Sequence, residues 1–198
     1  MARRNPRLRF LGGCWVFPGG AIDASDAAPG AEPIPAAAVA DCRELREEAG
    51  LELHPGRLVH WSRWITPSVG GRRRFDTQFF IAAAPRDQEP RVVEGEVTEL
   101  HWLPVARWPE LSGTGPFRVS PPTRIVLREV AEAFAQHGSV EALLQRERGR
   151  LIRSFLPKIS GDNRIALPWD PDYDALPGEG VRSDADGIDA RRNWSARL

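Results

Sequence analysis

Three carboxylates near the first quarter of the chain stand at a spacing that can hold a cation. Glu44, Glu47 and Glu48 fall at i, i+3 and i+4, so a helix puts all three on one face. Like charges at Glu44 and Glu48 cost an isolated helix about 0.2–0.5 kcal/mol. A hard divalent cation with oxygen ligands offsets that cost. Taken alone, the same run also fits a solvated acidic face, with Arg43 and Arg46 supplying ordinary helix salt bridges. The stretch upstream bears on the choice. Phe17-Pro18-Gly19-Gly20 suits neither a helix interior nor a central strand, because Pro lacks a donor and paired Gly weakens both. It reads as a sharp turn where backbone comes close to another group.

The element that must position the carboxylates is a helix over residues 35–49. Pro35 suits a first helical position, where its missing N–H is no loss. Ala36, Ala37 and Ala38 are the strongest helix formers, and Gly50 is a natural stop. Ala38, Cys42, Leu45 and Ala49 give this helix one apolar face, with Cys42 as plain core.

Gly20, the acid Asp26, and then Arg43-Glu44-Leu45 with Glu47-Glu48 and Gly50-Leu51 resemble the Nudix box. The C-terminal half matches at every defined position. Two departures stand in the first half. The first acid is Asp26 where Glu is usual, and the 17 positions from Asp26 to Arg43 exceed the family interval by about nine residues, read as an Ala-, Pro- and Gly-rich loop insertion over residues 24–35. The resemblance implies an α/β/α sandwich around a mixed β-sheet, with the box helix against the sheet.

A second resemblance lies further upstream. Arg4-Asn5, Arg9, Gly13 and Phe17-Pro18-Gly19-Gly20 are similar to the signature that precedes the box in Nudix coenzyme A diphosphatases, with Asn5 where Ser or Ala is usual. Trp64-Ile65-Thr66-Pro67, an Arg cluster, and Phe75–Phe80 resemble the peroxisomal and mitochondrial branch of the same enzymes. The apolar part of the signature has no counterpart before Met1, which leads to the expectation that a first strand is missing; a start codon placed too late accounts for it.

Composition sets the outer bounds. The chain has 198 residues, 41% hydrophobic and 27% charged, with a formal net charge of zero. That is enough for one soluble domain, expected over residues 1–177, and leaves no whole-molecule field for nucleic acid or membrane. Two cysteines, Cys14 and Cys42, make neither a disulfide framework nor a zinc site. A reducing, cytoplasmic setting is the default. No apolar run approaches a membrane span or a signal peptide. The sequence does not give the oligomeric state, and a homodimer is compatible with it.

Along the chain, Gly12–Phe17, Leu51–Leu53, Arg57–Trp64 and Phe75–Ala83 read as strands, with Phe79, Phe80 and Ile81 a buried run. Gly70-Gly71 signals a hairpin. Arg72, Arg73 and Arg74 are either a solvated hairpin tip or a clamp for phosphates, which Arg binds bidentately. Glu96 lies six residues before Trp102, where some Nudix enzymes place an extra metal ligand or base; a charged loop is the other reading. Val105–Leu111 reads as a helical turn. Residues 121–150 hold two helices, Thr123–Gln136 and Val140–Arg148. Leu151–Leu167 reads as a returning strand, Trp169 and Tyr173 as anchors for a tail, and residues 178–198 as disordered.

The family likeness implies attack of water on a diphosphate. It places Mg²⁺ or Mn²⁺ on Glu44, Glu47, Glu48 and the Gly20 carbonyl. Arg43 is expected to hold a helix glutamate in position, and Glu44 or Glu96 is the base. The upstream signature implies a small-molecule nucleotide substrate, coenzyme A or an acyl ester, with Arg4, Arg9, Gly13 and Arg72–Arg74 against it. ADP-ribose or NADH is the alternative substrate, and a non-catalytic nucleotide- or protein-binding module is the alternative class.

Overall fold

A computed structural model describes all residues except 28–32, 68–74, 94, 108–116, 153, 163 and 179–198, together with the side chains of residues 33–35. The expected hairpin turn, the Arg72–Arg74 cluster and the tail therefore lie outside the described residues. The chain divides into two compact units, residues 1–59 with 80–148, and residues 60–79 with 149–198.

The first unit is built on a sheet of order β2-β1-β5, from β1 (Ala2–Arg4), β2 (Trp15–Val16) and β5 (Val97–Leu100). Both pairings of β1 are antiparallel, and a parallel bridge from Trp15 to Val119 makes the arrangement mixed. Ala2–Arg4 form the central strand of this sheet. Residues 5–14 turn the chain back. Arg4 and Cys14 share a backbone hydrogen bond of 2.9 Å, and the Gly13 N–H donates to the Arg4 carbonyl at 3.0 Å. Gly13 has φ +75°, a conformation that costs Gly nothing. Trp15 is buried and packs on Phe117 and His101, at ring separations of 5.0 and 5.2 Å. The exposed His101 thus lies just past β5.

Helix α1 spans Pro33–Ala49, two residues longer at its start than the Pro35 signal indicates. Its most buried residues include Ala36, Ala37, Ala40 and Ala49, while Cys42 and Leu45 are half-buried. These alanines fall around more than half of the helix, so its early turns are buried on several sides. The stop at Gly50 is as expected, with φ +66° and its N–H on the Arg46 carbonyl. Leu51–Leu53 is not a strand; Pro55–Arg57 make a single 3₁₀ turn. The expected turn near Val105 is a 3₁₀ turn over Val105–Arg107.

Helices α2 (Pro121–His137) and α3 (Val140–Glu147) close the first unit. Ser120 and Ser139 cap them by accepting from the N–H of Thr123 and Ala142. Pro121 and Pro122 occupy positions where no donor is needed, and Gly138 ends α2 with φ +75°.

In the second unit β3 (Val59–Ile65, entering from the first unit) lies between β4 (Asp76–Ile81) and β6 (Ser154–Phe155). The β3–β6 pairing is parallel. Trp61 and Trp64 are buried, and Trp64 stacks on Phe155 at 5.0 Å. Phe79, Phe80 and Ile81 are half-buried rather than a buried run. The single strand expected over Leu151–Leu167 is three short ones, β6, β7 (Lys158–Ile159) and β8 (Ile165–Ala166). Pro157 separates the first two, because its nitrogen cannot donate to a ladder. Lys158, the only lysine, is buried and donates to the carbonyls of Tyr173 and Leu176 at 3.0 and 2.9 Å. The Tyr173 hydroxyl donates to the Leu156 carbonyl. These bonds pin the segment before the tail, as the aromatic anchors suggested.

The β1–β2 turn sets a stability prediction. A Cβ on Gly12 would stand 2.4 Å from the Leu8 carbonyl oxygen and 2.8 Å from that of Pro6, both backbone atoms. Gly12→Ala is expected to lower stability by about 1–3 kcal/mol in urea unfolding. Gly161→Ala, at a turn with open space around it, is expected to stay within about 0.5 kcal/mol of the parent. Equal effects would contradict the steric account.

Candidate active site

The site lies within the first unit and is centred on Arg43. This guanidinium has five N–H donors, and all five find acceptors. Nε donates to Asp26 Oδ1 at 3.1 Å, Nη2 to Asp26 Oδ2 at 2.9 Å and to the Ala21 carbonyl at 3.0 Å. Nη1 donates to Glu44 Oε1 at 2.8 Å and Glu47 Oε2 at 3.1 Å. Asp23 lies 3.5 Å away. The sequence expectation for Arg43, that it holds a helix glutamate, corresponds to two of these bonds.

Asp26 is the residue whose role the insertion obscured. Its side chain is 3% exposed and meets Arg43 in a bidentate pair. It sits at the end of a 3₁₀ turn, Ala24–Asp26, where its Oδ2 also accepts from the Asp23 N–H at 2.8 Å. The Arg43 hydrogen bonds, then the Asp23 N–H, hold its carboxyl below the usual carboxylate range, against the effect of burial. The extra residues between Asp26 and the helix thus leave the Asp26–Arg43 contact in place.

The Gly19-Gly20 turn lies against the helix carboxylates. The Gly19 N–H donates to Glu48 Oε2 at 3.0 Å. A Cβ on Gly20 would fall 2.1 Å from Glu44 Oε1, so any other residue here would have to displace the Glu44 carboxylate. Burial pushes the Glu48 carboxyl up to about 7, opposed by the Gly19 N–H and reinforced by the charge of Glu44. Glu47, with half of its side chain exposed, points its Oε2 at Arg43.

Sequence reading passed over Asp41. It lies three residues before Glu44 and seven before Glu48, hence on the same helix face. Burial, then the charge of Glu44, pushes its carboxyl up to about 7. Its position relative to the other acids was the available signal.

Arg4 extends the cluster from β1. Its Nη2 donates to Glu96 Oε2 at 2.8 Å. Neighbouring Arg3 pairs with Glu99. Arg9 is exposed in the turn before β2, and Gly13 shapes that turn. Among the described residues, no three His, Cys, Asp or Glu side chains are gathered into a ready cation cage. Arg43 engages Glu44 and Glu47, while the Gly19 N–H engages Glu48. The chemistry of the donors nevertheless fits a hard cation. They are all oxygens, and one guanidinium faces Asp26, Glu44 and Glu47 while Glu48 and Asp41 crowd alongside.

These two raised carboxyls fix a pH dependence for the metal-free chain. A carboxyl with a raised folded-state pKa holds its proton more tightly folded than unfolded. Between about pH 4 and 7 the folded chain keeps protons the unfolded chain has released, so stability falls as pH rises across that window and levels off above it. Burial also lowers the pKa values of His60 and the N-terminal amine, which act in the opposite sense over the same range. Urea midpoints measured in chelator are therefore expected to fall more, or rise less, from pH 5.5 to pH 8 in the parent than in an Asp41→Asn, Glu48→Gln double variant; the same pH dependence in both would contradict the raised carboxyls.

Comparison with known proteins bears on the family and the fold. "Putative nudix hydrolase 7" of Caenorhabditis elegans is 24% identical over 159 residues, covering 62% of this chain and 52% of that protein. The chain thus spans about half the length of that curated relative. The crystal structure of a NUDIX hydrolase from Alicyclobacillus acidocaldarius superposes with a TM-score of 0.57 at 24% identity, covering 76% of this chain and 88% of the other; it establishes the α/β fold. The NUDIX domain profile matches residues 1–119, more than half of the 198, and the chain belongs to the NUDIX family.

Proposed function

We propose that the chain is a metal-dependent diphosphatase that hydrolyses a nucleoside diphosphate-linked small molecule, with coenzyme A or an acyl ester as the leading substrate. The observation that carries the reading is the acidic face of α1 set against a glycine turn. Glu44 meets Gly20, Glu48 takes the Gly19 N–H, and Arg43 ties Glu44 and Glu47 to Asp26. A purely nucleotide-binding module has no need of such an accumulation of carboxylates.

Glu44, Glu47, Glu48 and the Gly20 carbonyl would hold Mg²⁺ or Mn²⁺. When bound, such a cation neutralises charge on phosphoryl oxygens and lowers the pKa of water. The chain's own residues do the rest. The Arg43 hub orients two of the glutamates, through bonds that a lysine cannot reproduce because it lacks the planar fork. Glu44 or Glu96 takes the proton of the attacking water. Among the acids, Glu96 is well exposed, at 60% of its side chain, and Glu44 has one oxygen engaged by Arg43. Arg9 and Arg72–Arg74 would meet the phosphates of the substrate.

The reading is tested by incubating the chain with coenzyme A, acetyl-coenzyme A, ADP-ribose and NADH, with Mg²⁺ or Mn²⁺, and Glu47→Gln as the blank. Release of 3′,5′-ADP from the first two is expected, with loss of activity by about a hundred-fold or more in the variant. Hydrolysis of ADP-ribose or NADH alone would keep the diphosphatase and discard coenzyme A. A folded chain silent on all four would overturn both.

A further inference from the structure

We infer that Arg4 is a positioning residue. It holds the Glu96 carboxylate beside the acidic face of α1 and is not an arm that grips substrate phosphate. The inference rests on the diphosphatase reading and revises the role that the upstream signature gives Arg4.

The backbone around Arg4 is fixed on both sides. Its N–H donates to the Cys14 carbonyl, its carbonyl accepts from Gly13, and the next residue, Asn5, donates to the Glu96 carbonyl at 2.7 Å. The β1–β5 register slips here. Arg3 stands opposite Glu99, but Arg4 stands opposite Val97. Such an irregularity re-aims side chains and bends the strand, and at this point it sets Arg4 beside the start of β5.

The Arg4 side chain is 17% exposed and its Nη2 donates to Glu96 Oε2 at 2.8 Å, while its Nε is shielded from water without a hydrogen-bond partner. The bond to Glu96 gives the guanidinium one fixed direction. Glu96, mostly exposed, would otherwise sample many rotamers, at a cost in ordering entropy. The bond from Arg4 fixes one of its oxygens and leaves Oε1 available.

The chain also delivers Glu96 to the right place. The Arg91 N–H donates to the Ala49 carbonyl at 2.9 Å, and the Val93 N–H to that of Glu48 at 3.5 Å. The segment leading to Glu96 is thereby tied to the last turn of α1. Hydrogen bonds thus connect Arg4 to Glu96 at the start of β5, and the segment before it to the Glu48 turn of α1.

The test is a double-mutant cycle on the full chain: wild type, Arg4→Gln, Glu96→Gln and the double variant, with Arg4→Lys as the conservative change. Thermal melts establish which variants fold. Two readouts are taken, Mn²⁺ affinity by calorimetric titration and steady-state hydrolysis of coenzyme A and dephospho-coenzyme A. Arg4→Gln is expected to lower kcat about ten-fold or more, with KM changed less than about three-fold, to the same extent on both substrates. Glu96→Gln should weaken Mn²⁺ binding in the presence of Arg4 and much less in its absence, a non-additivity that marks coupled groups. Arg4→Lys, keeping a cation near Glu96, should recover part of kcat. Additive effects in the Mn²⁺ cycle would overturn the inference, as would a KM increase confined to coenzyme A, the behaviour of a phosphate arm. If wild type hydrolyses neither substrate, the diphosphatase reading loses coenzyme A while the Mn²⁺ cycle still decides the role of Arg4. A wild-type chain that binds no Mn²⁺ overturns both.

Discussion

The Arg43 guanidinium, with all five of its donors engaged by Asp26, Ala21, Glu44 and Glu47, is the interaction on which the rest of the site depends. It joins three pieces of chain: the glycine turn through Ala21, the 3₁₀ turn through Asp26, and the helix itself. A planar, always-charged fork is what such a junction requires. One positive charge does not balance its surroundings, however. Burial first, and the charge of Glu44 with it, holds the protons of Glu48 and Asp41 up to about 7.

Glycine supplies the second constraint. Gly20 lies so close to Glu44 that any side chain would overlap the carboxylate, and the Gly19 N–H is a fixed donor to Glu48. Backbone dipoles that need no reorganisation are effective partners for charge. Gly50 completes the frame. It ends α1 one residue after Ala49 and lets Arg91 lie across the turn, where a Cβ would meet its Cγ at 2.9 Å. That contact begins the run that carries Glu96 to the site.

Much of this was legible in the sequence because it rests on local rules. The i, i+3, i+4 spacing of Glu44, Glu47 and Glu48, the alanine run and the Gly50 stop define α1 without any distant partner. What was less legible depends on non-local pairing. Asp26 could not be assigned across a long insertion by spacing alone, since a loop's length does not fix where its ends meet. Asp41 was hidden because it falls outside the box pattern, although its helix face follows from position. Arg4 read as a substrate group because its partner lies 92 residues away, across a strand pair with an irregular register. The single strand expected after α3 is broken into three by Pro157 and the turn at Gly161.

The most direct test of the account is a crystal structure of the chain soaked in Mn²⁺, with anomalous differences recorded at the manganese edge. The account predicts a peak bounded by carboxylate oxygens of Glu44, Glu47 and Glu48 and the Gly20 carbonyl, with Arg43 still paired to Asp26. A peak elsewhere, or none at saturating Mn²⁺, would contradict the claim that the acidic face of α1 and the glycine turn form one cation site.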